Sequence, residues 1–179
     1  ARLWLEAGDT VYAMTRSPVR AAEFKQAGIE PVIADVMQPD TLDSLPACEC
    51  VLHAVGYDRR APYDKRAVYV DGLRNVLERL PESVQRLVFV SSTSVYGQQN
   101  GEWVDESSPC EPTSEGGEIC LAAESLVHEQ FASDDSRRAV ILRPSGLYGP
   151  GRLLARTEQL RSGTPLRGNP DAWLNLLHI

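Results

Sequence analysis

Several things are scarce in this sequence, and each scarcity removes a class of function. No apolar run among the 179 residues approaches the ~20 needed to cross a bilayer. Nothing near the start has the charge, apolar and small-residue order of a secretory signal, so no membrane partner is expected. A basic excess is missing too. Lys and Arg number 18 against 25 Asp and Glu, for a net charge of −7, the wrong sign for a non-specific nucleic-acid surface. That charge leaves room for a nucleotide, because a few local arginines can hold a phosphate. Cysteine is limited to Cys48, Cys50, Cys110 and Cys120, with no CxxC pair to complete a zinc site. The expectation is reduced, partly buried thiols in a cytoplasmic protein.

What remains is ordinary globular composition, 42% hydrophobic and 24% charged, in a chain long enough to bury a real core. The chain opens on Ala1, inside what reads as the end of a helix stopped by Gly8. It closes on a strand-like apolar run at 175–179, so both ends are expected to continue. Between them, strands are expected over 10–15, 30–35, 49–55, 84–92 and 139–143. Helices are expected over 18–27, 39–45, 63–80 and 114–131, with Pro18 suited to a first turn and Gly28 to an end. The strand cores are almost entirely apolar. Alternating strands and helices with such cores predict an α/β fold, a doubly wound parallel sheet covered on both faces. After residue 143 Gly, Pro and Arg rise and periodicity fades, which places a first domain over 1–143 and the start of a second lobe over 144–179.

Ligands of such sheets sit at the carboxyl ends of the strands, so the strand ends carry the functional reading. SSTSVYG (residues 91–97) follows the strongest strand, and LRPSGLYGPG spans 142–151. VDGLRNVL lies at 70–77, with Glu106, Pro109 and Pro112, and then LAAE at 121–124, in register between. Each segment alone is weak, but five in this order are specific. Together they resemble the extended short-chain dehydrogenase/reductase superfamily, in its NAD-dependent epimerase and dehydratase branch, over nearly the whole chain. The resemblance implies an NAD(P)-binding Rossmann fold that lacks, in this chain, its first strand and glycine-rich pyrophosphate loop.

The end of the second strand of that fold separates the cofactors. An acidic residue there bonds the ribose hydroxyls of NAD and repels a 2′-phosphate. Here the strand ends Thr15, Arg16, Ser17, with Arg20 a turn later. Guanidinium and hydroxyl groups suit a 2′-phosphate, which favours NADP over NAD; a solvated surface arginine is the plain alternative. Asp35 and Val36 fall where the family contacts adenine, although Asp35 could instead cap the following helix. Ala54, Val55 and Gly56 are small enough for a cofactor to lie against backbone, or simply make a tight turn. Ser91, Arg143, Pro144, Ser145 and Gly146 complete the cofactor-binding set that the resemblance implies.

Catalysis in this superfamily uses a hydroxyl that fixes the substrate oxygen, a Tyr acid/base, and a Lys four residues on. The register set by LAAE puts the Tyr position at Gly116 and the Lys position at Cys120, and no Tyr or Lys lies between Glu111 and Gln130. Two asparagines of the family motifs are Tyr69 and Gly146 here. The hydroxyl position survives as Ser92, with Thr93 next, and Tyr96 is a candidate acid. The pattern is similar to the atypical members of the superfamily. Two functions stay open. One is an NAD(P)-dependent epimerase, dehydratase or reductase acting on a nucleotide-sugar or related small molecule. The other is a non-catalytic NAD(P)-binding sensor or scaffold. The resemblance also implies a homodimer packed through the two long helices.

Overall fold

The structure, a computed structural model, describes residues 1–132, 136–150, 158, 161–163, 165, 173 and 175–178. Helix α1 (Arg2–Glu6) ends where Gly8 takes φ 90°, a left-handed conformation that a Cβ would disfavour. Strand β1 (Tyr12–Thr15) leads to α2 (Pro18–Gln26). Ser17 caps α2, its side chain accepting from the Arg20 amide, and Pro18 sits in the first turn. Strand β2 (Glu30–Ile33) pairs in parallel with β1, Tyr12 against Glu30 and Thr15 against Ile33.

A 3₁₀ helix over Pro39–Ser44 forms the short helix expected over 39–45. Thr41 explains the tightening: its hydroxyl bonds the Asp35 and Gln38 carbonyls and draws the chain into a compact local turn. Strand β3 (Cys50–His53) follows. The long helix expected over 63–80 is shorter and irregular. A π-helical stretch at Ala67–Asp71 precedes α3 (Gly72–Glu78). Gly72 is where this helix meets the loop after β2, since a Cβ there would lie 2.8 Å from Val36 Cγ2. Strand β4 (Arg86–Val90), α4 (Glu115–Phe131) and β5 (Arg138–Leu142) complete a parallel α/β core, with strand order β3-β4-β5. Strands β3 and β4 are parallel, Cys50 against Arg86 and His53 against Phe89. Strands β6 (Gly146–Tyr148) and β7 (Leu176–His178) form a further parallel pair.

The chain divides into two compact units, Ala1–Phe89 with Ser125–Val140, and Val90–Glu124 with Ile141–Ile179. The first has a core of Ala34, Val36, Leu42 and Val76, with Met14, Val32 and Leu80 packed against it. Leu42 is fully buried, worth about 1.5–3 kcal/mol in transfer free energy. The second unit buries Val95, Ile119 and Ala123. In this chain the sheets are less covered than the sequence suggests: Ile33, Leu52, Val140 and Leu142 are exposed. Apolar strand composition reports that a residue can face a core, and among the described residues these side chains are only partly covered. Of the cysteines, Cys50 is exposed and the other three are partly buried. Among the described residues no helix is long and apolar enough to cross a membrane.

Candidate functional site

In the first unit the carboxyl end of β1 opens on a cleft of about 490 Å³ lined by Thr15, Arg16, Ser17 and Arg20. The local hydrogen bonds shape it. The Ser17 amide donates to Thr15 Oγ1 at 3.1 Å, and the Arg20 amide to Ser17 Oγ at 3.3 Å. Arg16 is already engaged: its Nη2 donates to Asp58 Oδ2 at 3.1 Å, and its Nη1 lies 3.8 Å from Asp35 Oδ2. The Arg60 amide, and then the Arg16 guanidinium, hold the Asp58 carboxyl below the usual carboxylate range.

Asp35 divides its two oxygens, Oδ1 accepting from the Met37 amide at 2.9 Å while Oδ2 faces Arg16. The carboxylate therefore braces its own loop. Val36 turns its side chain into the core, and its carbonyl accepts from Asn75 Nδ2 at 2.8 Å. Past β3, Ala54 and Gly56 are exposed and Val55 packs on the core. A Cβ on Gly56 would meet nothing within 4 Å, so packing does not demand glycine there and the backbone is approachable. The Tyr69 hydroxyl accepts from the Tyr57 amide at 3.2 Å. His53, 7% exposed, lies tilted on Phe89 with ring centroids 5.7 Å apart. Loss of solvent pushes its pKa down to about 4, so the ring is neutral near pH 7.

In the second unit a buried carboxylate gathers the other strand-end residues. Glu124 is 1% exposed. Ser91 Oγ donates to its Oε1 at 2.5 Å, and Arg143 grips it through Nε at 3.1 and 3.2 Å and Nη2 at 2.7 Å. The remaining Arg143 nitrogen, Nη1, donates to Tyr96 Oη at 2.9 Å, and the Tyr96 hydroxyl donates to the Asp105 carbonyl at 2.9 Å. This bonding to Glu124 holds the Arg143 pKa above its ordinary value, so it stays charged. Backbone bonds tie the two loops together, Ser91 N to Leu142 O at 2.7 Å and Thr93 N to Pro144 O at 3.2 Å. Ser92 Oγ accepts from the Ser94 amide at 3.1 Å, and Ser94 Oγ bonds Cys120 Sγ at 3.9 Å. Thr93, Pro144 and Ser145 are half-buried, and Gly146 opens β6. Tyr148 meets His178 edge-on at 4.9 Å. Gly151 of the quoted motif lies outside the described residues.

The structure thus brings Thr15, Arg16, Ser17, Arg20 and Asp35 together in one unit, and Ser91, Ser92, Thr93, Tyr96, Arg143 and Pro144 in the other. Sequence reasoning missed Asp58 and Asn75. Asn75 lies inside the VDGLRNVL segment and was findable there. Asp58 has no sequence signal, because its partner is 42 residues away.

Residues 1–165 match the model of the NAD-dependent epimerase/dehydratase family. The chain belongs to that family. Protein YeeZ of Escherichia coli K12 is 29% identical over 158 residues, covering 85% of this chain and 53% of YeeZ. The chain therefore spans about half the length of that relative. A structure from Methylobacillus flagellatus assigned to the NAD-dependent epimerase/dehydratases is 35% identical, with a TM-score of 0.72 over 99% of this chain and 60% of that one. A short-chain dehydrogenase/reductase superfamily protein from Agrobacterium tumefaciens, solved with bound NAD, is 29% identical, with a TM-score of 0.65 over 82% of this chain and 44% of that one. The family fold is the doubly wound Rossmann type. Among the described residues no strand precedes α1 and no glycine-rich turn leads into a helix.

Proposed function

We propose that this chain is the cofactor-binding part of an epimerase, dehydratase or reductase of the atypical type, using NADP in preference to NAD. Its substrate is a nucleotide-sugar or a related small molecule. Residues 1–143 form the cofactor domain in this reading, and 144–179 begin the substrate lobe. The observation that carries it is the pairing of the Ser91–Thr93 and Leu142–Pro144 loops, which places Ser92 between two backbone bonds to the 142–144 segment at the strand ends.

The residues present fit the adenosine end of a nicotinamide dinucleotide. Arg20, Arg16 and the hydroxyls of Thr15 and Ser17 face one cleft, a donor set suited to a phosphorylated ribose. The open space at Gly56 lets the cofactor run along backbone. When bound, the nicotinamide supplies hydride exchange. The chain's own work is then positional. Ser92 donates to a substrate oxygen while its loop is held by Glu124 through Ser91 and Arg143. Thr93 is the neighbouring hydroxyl. Tyr96 steadies Arg143 and the 105 loop, because its proton is committed to the Asp105 carbonyl.

In this reading the register set by LAAE puts Gly116 and Cys120 of α4 at the positions where the family carries Tyr and Lys. A general acid/base group is worth about 10²–10⁴-fold in rate, so turnover by the ordinary route is slow. That same helix favours a second reading, a non-catalytic NAD(P)-binding sensor or scaffold, in either case dimerising through α3 and α4. Titration with NADPH and NADH, followed by a nucleotide-sugar screen, separates them. Cofactor binding with no turnover of any carbonyl or sugar substrate would sink the enzyme. Loss of an activity in Ser92→Ala with cofactor affinity intact would sink the sensor.

A further inference from the structure

Two arginines border the cleft at the end of β1, and they differ in their engagement. The Arg20 guanidinium has no hydrogen-bond or ion-pair partner among the described residues. Arg16 is held by Asp58 at 3.1 Å and faced by Asp35 at 3.8 Å. Asp58 is itself anchored: its other oxygen accepts from the Arg60 amide at 3.0 Å, and its carbonyl accepts from the Ala61 amide at 3.0 Å. The carboxylate is thus tied into its own loop beside Arg16. The Arg16 and Asp58 side chains are 46% and 48% exposed, so their pair is weak enough to exchange partners.

We propose that Asp58 is a specificity-determining residue that withholds Arg16 from a cofactor 2′-phosphate and so narrows the preference for NADP over NAD. The inference rests on the cofactor reading above and names the device that tunes it. A 2′-phosphate that takes Arg16 Nη2 must displace Asp58, and it then lies beside a carboxylate of like charge. A neutral 2′-hydroxyl meets neither penalty. Arg20 alone is then left to favour the phosphate.

Asp58→Asn keeps the side-chain shape and the acceptor for the Arg60 amide, and it removes the charge. In nicotinamide-fluorescence titrations of the full protein, this variant binds NADPH about three- to tenfold more tightly, while NADH affinity stays within about twofold. Arg16→Ala lowers NADPH affinity by itself, and added to Asp58→Asn it erases the gain, as a double-mutant cycle requires. Equal shifts for NADPH and NADH in Asp58→Asn, or a gain that survives removal of Arg16, would overturn the proposal. If the wild-type protein binds neither dinucleotide, the cofactor reading itself fails and takes this inference with it, an outcome visible before any variant is made.

Discussion

His53 offers a stability effect whose sign and size follow from burial. The ring is 7% exposed at the end of β3 and packs on Phe89. Desolvation lowers its pKa from 6.5 to about 4. Between those values the unfolded chain binds a proton that the folded chain refuses. Stability from this group is therefore complete above about pH 6.5 and is lost as pH falls towards 4. The whole difference is about 3 kcal/mol, of which about 2 kcal/mol is lost between roughly pH 7.5 and 5. Urea unfolding at those two pH values measures it, with His53→Leu as the reference because leucine fills a similar volume without titrating. The wild-type protein should lose about 2 kcal/mol more than the variant on acidification. Equal losses in the two proteins would refute the argument, since every carboxylate contribution is shared between them.

Glu124→Ala leaves the Arg143 guanidinium and Ser91 without their buried acceptor and should cost about 3–5 kcal/mol in denaturant unfolding; a midpoint near wild type would show that the clamp is slack. Gly117→Ala drives a Cβ into the Ser94 carbonyl oxygen. That backbone clash should outweigh the ~1 kcal/mol gain in helix propensity and lower the melting temperature, whereas a raised one would contradict the packing. Tyr96→Phe strips the acceptor from Arg143 Nη1 and the donor from the Asp105 carbonyl, for about 1–3 kcal/mol. Its NADH titration should be unchanged, and a lost cofactor affinity would place Tyr96 in the binding site instead.

Much of the site was readable as residue type and little of it as pairing. Thr15, Arg16, Ser17 and Arg20 were identified from the end of one strand and the start of one helix, and local geometry alone brings them to one cleft. Ser92 was legible for a similar reason, since it opens the turn after the strongest strand. Arg143 was read as a cofactor ligand, yet all of its nitrogens point at Glu124 and Tyr96, residues 19 and 47 positions away. The expected 63–80 helix lost its regularity for a related reason. Tyr69 lies inside the π-helical stretch, with its hydroxyl on the Tyr57 amide, a contact that periodicity cannot encode.

By itself the sequence determined the order of the strand–helix units. Apolar runs of strand length, proline starts and glycine stops act over a few residues, and they hold wherever the segment ends up. It also determined that α4 has neither Tyr nor Lys, because residue identity needs no coordinates. Tertiary structure alone decided that Asp58 holds Arg16, that Glu124 is buried with its charge paired, and that His53 is kept neutral. Electrostatic partners and desolvation depend on distance through space. At these sites that distance is set by the packing of separate elements.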